Sequence, residues 1–120
     1  MTWEEFAGFC SGMEGAALDQ PFYRDFITTV ARHTGNRKLF ALIMRTDKGP
    51  AVNLKCEPIR AGLLRGMFRD IRPGWHMNHD HWITVNLSGD VPDGFIYQLT
   101  QESYELTRPR IKPRHLQETE

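Results

Sequence analysis

The sequence predicts an α+β protein in which helices cover one face of an antiparallel sheet. Apolar residues recur at helical spacing near both ends of the chain, and a β-branched, apolar stretch with short turn-forming links lies between residues 26 and 55. At 120 residues, with 40% hydrophobic and 25% charged residues, the chain suits one domain with its own core. We place this domain at residues 1–107 and expect residues 108–120 to form a basic, flexible tail.

The first helix is predicted over residues 3–13. Thr2 and Glu5 have the spacing of a capping box, in which each side chain accepts a backbone N–H at the start of the helix. Apolar residues follow at helical intervals, namely Phe6, Phe9, Cys10 and Met13. Gly12 and Gly15 then favour the end of this helix.

Three strands are predicted next, after "ALDQPF" (17–22) turns the chain toward them. They are "FITTVAR" (26–32), "KLFALIMR" (38–45) and "AVNLK" (51–55). The links "HTGNR" and "TDKGP" are typical of turns, and links this short join antiparallel neighbours. The stretch therefore predicts a three-stranded meander.

The second half of the chain predicts two helices separated by one strand. Pro58 begins a helix after Glu57, and its predicted buried face consists of Ile59, Leu63, Leu64 and Met67. The segment "HWITVNL" (81–87) alternates like a half-buried strand. Pro92 starts the last helix, which is expected to bury Ile96, Leu99, Ser103 and Leu106. The predicted order is α-β-β-β-α-β-α.

Charge and composition narrow the classes of function. The formal net charge of zero conceals an acidic stretch at residues 1–23, a basic one at 24–65 and an acidic one at 66–107. The longest apolar run is too short to span a bilayer, and the acidic start is unlike a signal peptide, so we expect a cytoplasmic protein. Cys10 and Cys56 are expected to be reduced, buried thiols. We predict no cofactor, no obligate protein partner, and a monomer or weak dimer.

Several stretches resemble the MmcQ/YjbR family of small bacterial proteins, in order and with matching spacing from Met1 to Leu106. They are "PFYRDF" (21–26), "KLFALI" (38–43), "PAVNLKCEP" (50–58), "LLR" (63–65), "RPGWHMNHDHWITVNL" (72–87) and "SYEL" (103–106). The resemblance implies a CyaY-like, frataxin-like fold. It also implies a double-wing arrangement, in which two β-hairpin loops project from the sheet and contact DNA.

The family pattern carries over to individual positions. It includes the lysine that opens the second predicted strand, Lys38, and the pair that closes the third, Leu54 and Lys55. In the segment from Pro73 to Trp82 it includes His76, Asn78, His81 and Trp82. The chain departs from the pattern at His79, where a lysine is usual, and at Tyr23, where a glycine is common. A histidine at position 79 is positive only when protonated, which weakens an anion-binding face.

The resemblance and the basic middle of the chain together predict DNA binding by two hairpin tips lying side by side. The predicted phosphate-binding residues, with His33 beside them, are Arg32, Arg37, Lys38, Arg45, Lys48 and Lys55. Basic residues of the tail, beginning at Arg108, add to the attraction. A pI near 7.0 and the lack of a recognition helix favour low-specificity binding.

Alternatives to DNA binding centre on the segment that contains His76, His79 and His81. These three with Asp80 or Cys56 have the ligand types of a zinc site, but the turn between them makes a shared ligand geometry unfavourable. We therefore predict no metal site. Instead we expect the imidazoles of His76 and His81 to hold the turn by bonding backbone carbonyls or Asp80.

A second hypothesis is a protein-interaction or small-ligand module. Its binding surface would lie around Trp75, His76 and Trp82, where aromatic and polar side chains are mixed. The sequence has no phosphate loop, nucleophile elbow or other catalytic signature, so we do not expect an enzyme. Ser103 is predicted to face the core rather than to act as a nucleophile.

Overall fold

The computed structural model describes residues 1–20 and 28–110, which form three helices and six strands. The helices are α1 (Trp3–Ser11), α2 (Pro58–Met67) and α3 (Asp93–Thr107). The strands are β1 (Ala16–Asp19), β2 (Thr28–His33), β3 (Leu39–Thr46), β4 (Gly49–Lys55), β5 (Ile71–Pro73) and β6 (Trp82–Asn86). Residues 21–27, which include Tyr23 and the start of the first predicted strand, and residues 111–120 of the tail lie outside the described residues.

The six strands form one sheet in the order β1-β2-β3-β4-β6-β5, and every neighbouring pair is antiparallel. The predicted meander is confirmed as β2, β3 and β4. Two short strands were not predicted. β1 replaces part of the expected turn and pairs with β2, and β5 forms the opposite edge beside β6.

All three helices pack against the same face of the sheet, which confirms the predicted fold class. Helix residues such as Phe6, Leu64 and Ile96 share one core cluster with the strand residues Ile43 and Val52. Removing these side chains from water supplies most of the favourable folding energy. We call the opposite side of the sheet the outer face. It contains a smaller cluster of strand residues, Val30, Leu42, Met44 and Ala51, and alternation along β4 and β6 adds Asn53 and Thr84.

Polar side chains on α3 tie the helix to the sheet. The Ser103 hydroxyl, which is fully buried as predicted, donates to the Phe40 carbonyl at 2.6 Å and accepts the Lys55 N–H at 2.8 Å. His33 Nε2 lies 2.9 Å from Thr107 Oγ1, and both residues are buried. Such bonds satisfy polar groups that would otherwise be costly to bury.

Both cysteines are free and buried, as predicted. Burial raises the pKa of the Cys10 thiol to about 12 and also raises the pKa of Cys56. Because the thiolate is the reactive form, both side chains behave as core residues. No helix among residues 1–20 and 28–110 is long and apolar enough to cross a membrane.

The predicted buried face of α2 is wrong for three of its four residues. Leu64 is buried, but Ile59, Leu63 and Met67 are 82%, 64% and 67% exposed. The helix contacts the edge strand β5 and buries only a narrow stripe formed by Ala61 and Leu64. On α3, the prediction that Leu106 is buried is also wrong, because it is 44% exposed.

Candidate functional site

The two predicted hairpin tips lie at opposite ends of β3. One turn precedes Leu39 and the other follows Thr46, and these residues are separated by the length of the strand. At a rise of ~3.3 Å per residue, the eight residues of β3 span roughly 23 Å between their first and last Cα atoms. The prediction that the tips lie side by side is therefore wrong, because consecutive turns of a meander alternate between the two ends of the sheet.

Three of the predicted basic residues, Arg37, Lys38 and Lys55, lie at one end of the sheet, which we call the Lys55 end. Asn36 fixes the turn there, since its Oδ1 accepts the Lys38 N–H at 3.0 Å and its Nδ2 donates to the Thr107 carbonyl at 2.9 Å. Lys55 Nζ lies 5.6 Å from the centroid of the Trp82 ring. Among the described residues, these three cations form no ion pair.

Arg32 and Arg45 are engaged by other groups. Arg32 Nε lies 3.2 Å from Asp19 Oδ2, and its Nη1 donates to the Arg37 carbonyl at 2.9 Å. Arg45 is turned toward α1, where its Nη2 lies 3.7 Å from Glu4 Oε1 and its guanidinium lies 4.6 Å from the centroid of the Trp3 ring. Both charges are partly neutralised within the molecule.

Lys48 lies at the other end of the sheet, which we call the Lys48 end, and a further cation, Arg72, lies on the edge strand β5, level with the middle of β3. Arg72 is paired with Thr84 in the sheet and so belongs to the outer face, a position that could not be predicted without β5.

The chain entering β5 is held by Asp90. The backbone N–H groups of Arg69 and Asp70 donate to the Asp90 carboxylate at 2.9 and 3.0 Å. Although partial desolvation acts to raise the pKa of Asp90, these hydrogen bonds lower it overall.

Charges of opposite sign are concentrated on different layers of the described structure. The strands and the two turns carry mainly cations, namely Arg32, Arg37, Lys38, Arg45, Lys48, Lys55 and Arg72, against Asp19 and Asp47. The helices carry mainly acids, namely Glu4, Glu5, Asp93, Glu102 and Glu105, against Arg60 and Arg65. The sheet layer therefore carries more positive charge than the helices.

The turn that contains the histidines is held by Asn78 rather than by imidazoles. Asn78 Oδ1 accepts the Asp80 N–H at 2.8 Å, and its carbonyl accepts the His81 N–H at 3.2 Å. The side chains of His76 and His81 are exposed and make no hydrogen bond within the part of the chain that the structure describes, so their predicted role is wrong. Within that part, no three His, Cys, Asp or Glu residues are grouped to hold a metal ion.

Trp75 is clamped to the outer face through both of its backbone polar groups. The fully buried Asn53 donates from Nδ2 to the Trp75 carbonyl at 2.8 Å. The Thr84 hydroxyl accepts the Trp75 N–H at 2.8 Å and donates to Asn53 Oδ1 at 2.5 Å. The Trp75 side chain is nevertheless 55% exposed, whereas Trp82 is only 9% exposed. Of the two tryptophans in the predicted binding surface, Trp75 is thus the accessible one.

The backbone on either side of Trp75 is constrained. A Cβ atom at Gly74 would lie 2.6 Å from the Trp82 Cβ, so only glycine lets the chain pack this closely. His76 has φ of 56°, a left-handed conformation that non-glycine residues adopt at a cost. The hydrogen bonds to the neighbouring Trp75 stabilise this conformation, so the backbone at Trp75 is held in place.

A cavity of about 720 Å³ opens on the outer face at the Lys48 end. Met44 and Ala51 form apolar parts of its lining, while Trp75, Lys48 and Arg72 supply an aromatic ring and two cations. A second cavity, of about 640 Å³, lies between α2 and α3 and is lined by several carboxylates, Glu57, Glu102 and Glu105. Of these two cavities, only the first combines an exposed aromatic ring with cations that have no ion pair among residues 1–20 and 28–110.

Comparison with known proteins identifies relatives over most of the chain. Residues 11–106 match the model of the YjbR family. The uncharacterised protein YjbR of Escherichia coli (strain K12) is 38% identical over 105 residues, which cover 88% of this chain and 86% of that protein. The uncharacterised protein YyaQ of Bacillus subtilis (strain 168) is 34% identical over 118 residues, covering 90% and 99% of the two chains.

Solved structures agree with the fold. A crystal structure of a protein from Pseudomonas syringae superposes with a TM-score of 0.82 at 32% identity, covering 90% of this chain and all of that one. A protein of Deinococcus radiodurans superposes with a TM-score of 0.78 at 30% identity, covering 88% and 77% of the two chains. On the extent of the family match and the identity to these relatives, the chain belongs to the YjbR family.

Proposed function

We propose that the protein binds DNA with low sequence specificity, through phosphate contacts made by the sheet and its two hairpin turns. The observation that supports this function is the separation of charge between the basic sheet layer and the acidic helices. Lysine and arginine that neutralise phosphates release counterions, which drives sequence-independent binding. The acidic helices repel the same polyanion, so the duplex approaches the sheet.

The proposed phosphate contacts do not come from two adjacent hairpin tips, because the tips lie at opposite ends of β3. Arg37, Lys38 and Lys55 act at one end of the sheet, Lys48 acts at the other, and Arg72 acts between them on the edge strand β5. A separation of ~23 Å corresponds to about seven base-pair steps of ~3.4 Å, so one duplex lying along β3 reaches both ends. Arg32 and Arg45 contribute less because Asp19 and Glu4 already pair with them. Five phosphate contacts predict a slope of log K against log salt of about −4.5.

Fluorescence anisotropy of a labelled duplex, titrated with the full chain at several salt concentrations, tests this function. We expect binding at low salt that weakens steeply as salt rises. The double variant Arg37→Gln, Lys48→Gln removes one contact at each end, so its affinity falls and its salt slope becomes shallower by about 2. Failure of the wild-type chain to bind at low salt would contradict the proposal.

A control variant separates local contacts from net charge. Ser11→Glu with Gln101→Glu changes the formal charge by the same amount as the double variant, but on exposed positions of α1 and α3. We expect this control to bind within a factor of about two of wild type, because distant exposed charges are screened. If both double variants lost affinity equally, net charge rather than the sheet surface would be responsible, and the surface assignment would be wrong.

A further inference from the structure

The cavity at the Lys48 end combines the three features that a small aromatic anion requires. Its volume of about 720 Å³ lies within the ordinary range for small-molecule sites. Met44 and Ala51 give it an apolar part, and Trp75 adds a largely exposed ring. Thr84 and Asn86 add polar groups to the lining. The mixture suits a ligand that is flat and apolar on one side and charged on the other.

The charges around this cavity favour an anion. Four cations and two carboxylates line it: Arg45, Lys48, Arg69, Arg72, Asp47 and Asp70. Arg45 pairs with Glu4 at 3.7 Å, and Arg69 Nε lies 4.0 Å from Asp70 Oδ2. Lys48 and Arg72 have no ion pair among the described residues. Their two positive charges outnumber the one remaining negative charge of the lining, that of Asp47.

The clamp on Trp75 supports a binding role for its ring. A fully buried asparagine in the middle of the sheet holds the Trp75 carbonyl and also orients the hydroxyl that holds the Trp75 N–H. This network holds the backbone from which the Trp75 side chain projects, and more than half of that side chain is exposed. An exposed ring on a backbone that is already ordered loses less conformational entropy when a ligand stacks on it than a ring on a mobile loop does.

We propose that this cavity binds one nucleotide unit, with the base stacked on Trp75 and the phosphate held by Arg72 and Lys48. The unit belongs either to a free mononucleotide or to an unpaired nucleotide in a single strand, since both present the same base and phosphate. Stacking of a base on an aromatic side chain tolerates any base, which fits a site without a specific hydrogen-bonding pattern. The inference goes beyond duplex binding, and it does not require the Lys55 end.

Isothermal titration of the full chain with AMP, adenosine and inorganic phosphate tests the site, together with anisotropy of labelled (dA)12. We expect AMP to bind, and adenosine and phosphate to bind more weakly because each lacks one half of the contact. Trp75→Ala is expected to weaken binding roughly 5- to 150-fold, the loss of one stacked base, while Trp75→Phe retains most of the affinity. Arg72→Gln weakens AMP but not adenosine, and the matched control Arg37→Gln at the Lys55 end weakens neither.

The outcomes discriminate between sources of the nucleotide. Binding of AMP as tightly as of (dA)12 supports a free nucleotide, whereas binding of (dA)12 alone supports an unpaired nucleotide in a strand. Binding of neither by the wild-type chain would overturn the inference. So would a Trp75→Phe variant that bound as poorly as Trp75→Ala while retaining the wild-type circular dichroism spectrum and melting temperature.

The same variants separate this inference from duplex binding. Trp75→Ala should leave duplex affinity within a factor of two, because the ring makes no phosphate contact. The variant Arg37→Gln, Lys38→Gln should weaken the duplex and leave AMP unchanged. Loss of AMP binding in this variant would place the ligand at the Lys55 end and overturn the cavity assignment, whatever the duplex result.

Discussion

His33 is a buried ionisable side chain at the end of β2. It is 2% exposed, lies 2.9 Å from the Thr107 hydroxyl, and contacts the rings of Phe40 and Tyr104 at centroid distances of 5.1 and 4.6 Å. Burial lowers the pKa of His33, because the imidazolium loses water on entering this site. The unfolded chain therefore binds a proton at a higher pH than the folded chain does.

This shift predicts that stability falls as the pH drops below about 6.5, the value for an unperturbed histidine. Above that pH both states are neutral at His33 and its contribution is constant. Between the pKa of His33 in the unfolded chain and its pKa in the folded chain, the free energy of unfolding falls by up to ~1.4 kcal/mol for each pH unit. Urea unfolding at pH 7.5, 6.5 and 5.5 measures it. We expect His33→Gln to flatten the dependence and the exposed control His79→Gln to preserve it. An unchanged slope in His33→Gln would assign the effect elsewhere.

Local signals at single residues were reliable, and partnerships distant in sequence were not. The capping box is present, with Glu5 N–H donating to Thr2 Oγ1 at 3.0 Å and Thr2 N–H donating to Glu5 Oε1 at 2.8 Å. Its partners are three residues apart, so spacing predicts it. In the clamp on Trp75, Asn53 bonds to Trp75, which is 22 positions away in the sequence, and to Thr84, which is 31 positions away. Its one visible signal was an asparagine inside the apolar strand "AVNLK".

Among the elements, long and strongly patterned segments were predictable and short edge strands were not. β3 and α3, with eight and fifteen residues, lie close to their predicted bounds. The four residues of β1 and the three of β5 contain almost no β-branched side chains and pair only because a neighbouring strand is present. Helical spacing in α2 identified an apolar stripe, but it could not show that the sheet covers a different side of the helix.

The neighbours Leu63 and Leu64 on α2 provide a matched test of this correction. Leu64 is 2% exposed and Leu63 is 64% exposed. Leu64→Ala should lower the free energy of unfolding by about 2–5 kcal/mol, because it removes packed methyl groups from the core. Leu63→Ala should change it by no more than ~0.5 kcal/mol. Urea titrations of the two variants decide the matter, and equal losses would show that Leu63 is covered by another part of the protein.

For the whole molecule, the fold class and the meander were predicted, but the relative position of the tips was not deduced from them. Alternation of turns between the two ends of a meander follows from topology alone, so the predicted strand order already implies that the tips are separated. The family resemblance suggested paired wings, whereas the strand order separates the tips by the full length of β3. The contribution of Arg72 depended on a strand that the sequence did not predict.

The separation of the two ends makes a quantitative prediction for duplex binding. Arg37 and Lys48 lie far enough apart for their contacts to be independent. The free-energy losses of Arg37→Gln and Lys48→Gln should therefore add to that of the double variant within ~0.5 kcal/mol. Anisotropy titrations of the wild type, both single variants and the double variant form the required cycle. A coupling energy well above that limit would indicate that the two side chains contact the same phosphates.

The edges of the sheet also limit how the protein can assemble. β1 has only four residues and contains Asp19, and β5 has three residues, including Arg72 and Pro73. Proline lacks the N–H that a further strand would need, and short, charged edges give little length for pairing. Growth of the sheet from one molecule into the next is thus disfavoured at both edges. Recognition by this protein is therefore not expected to proceed by adding a partner's strand to either of these edges, and the same property disfavours edge-to-edge aggregation.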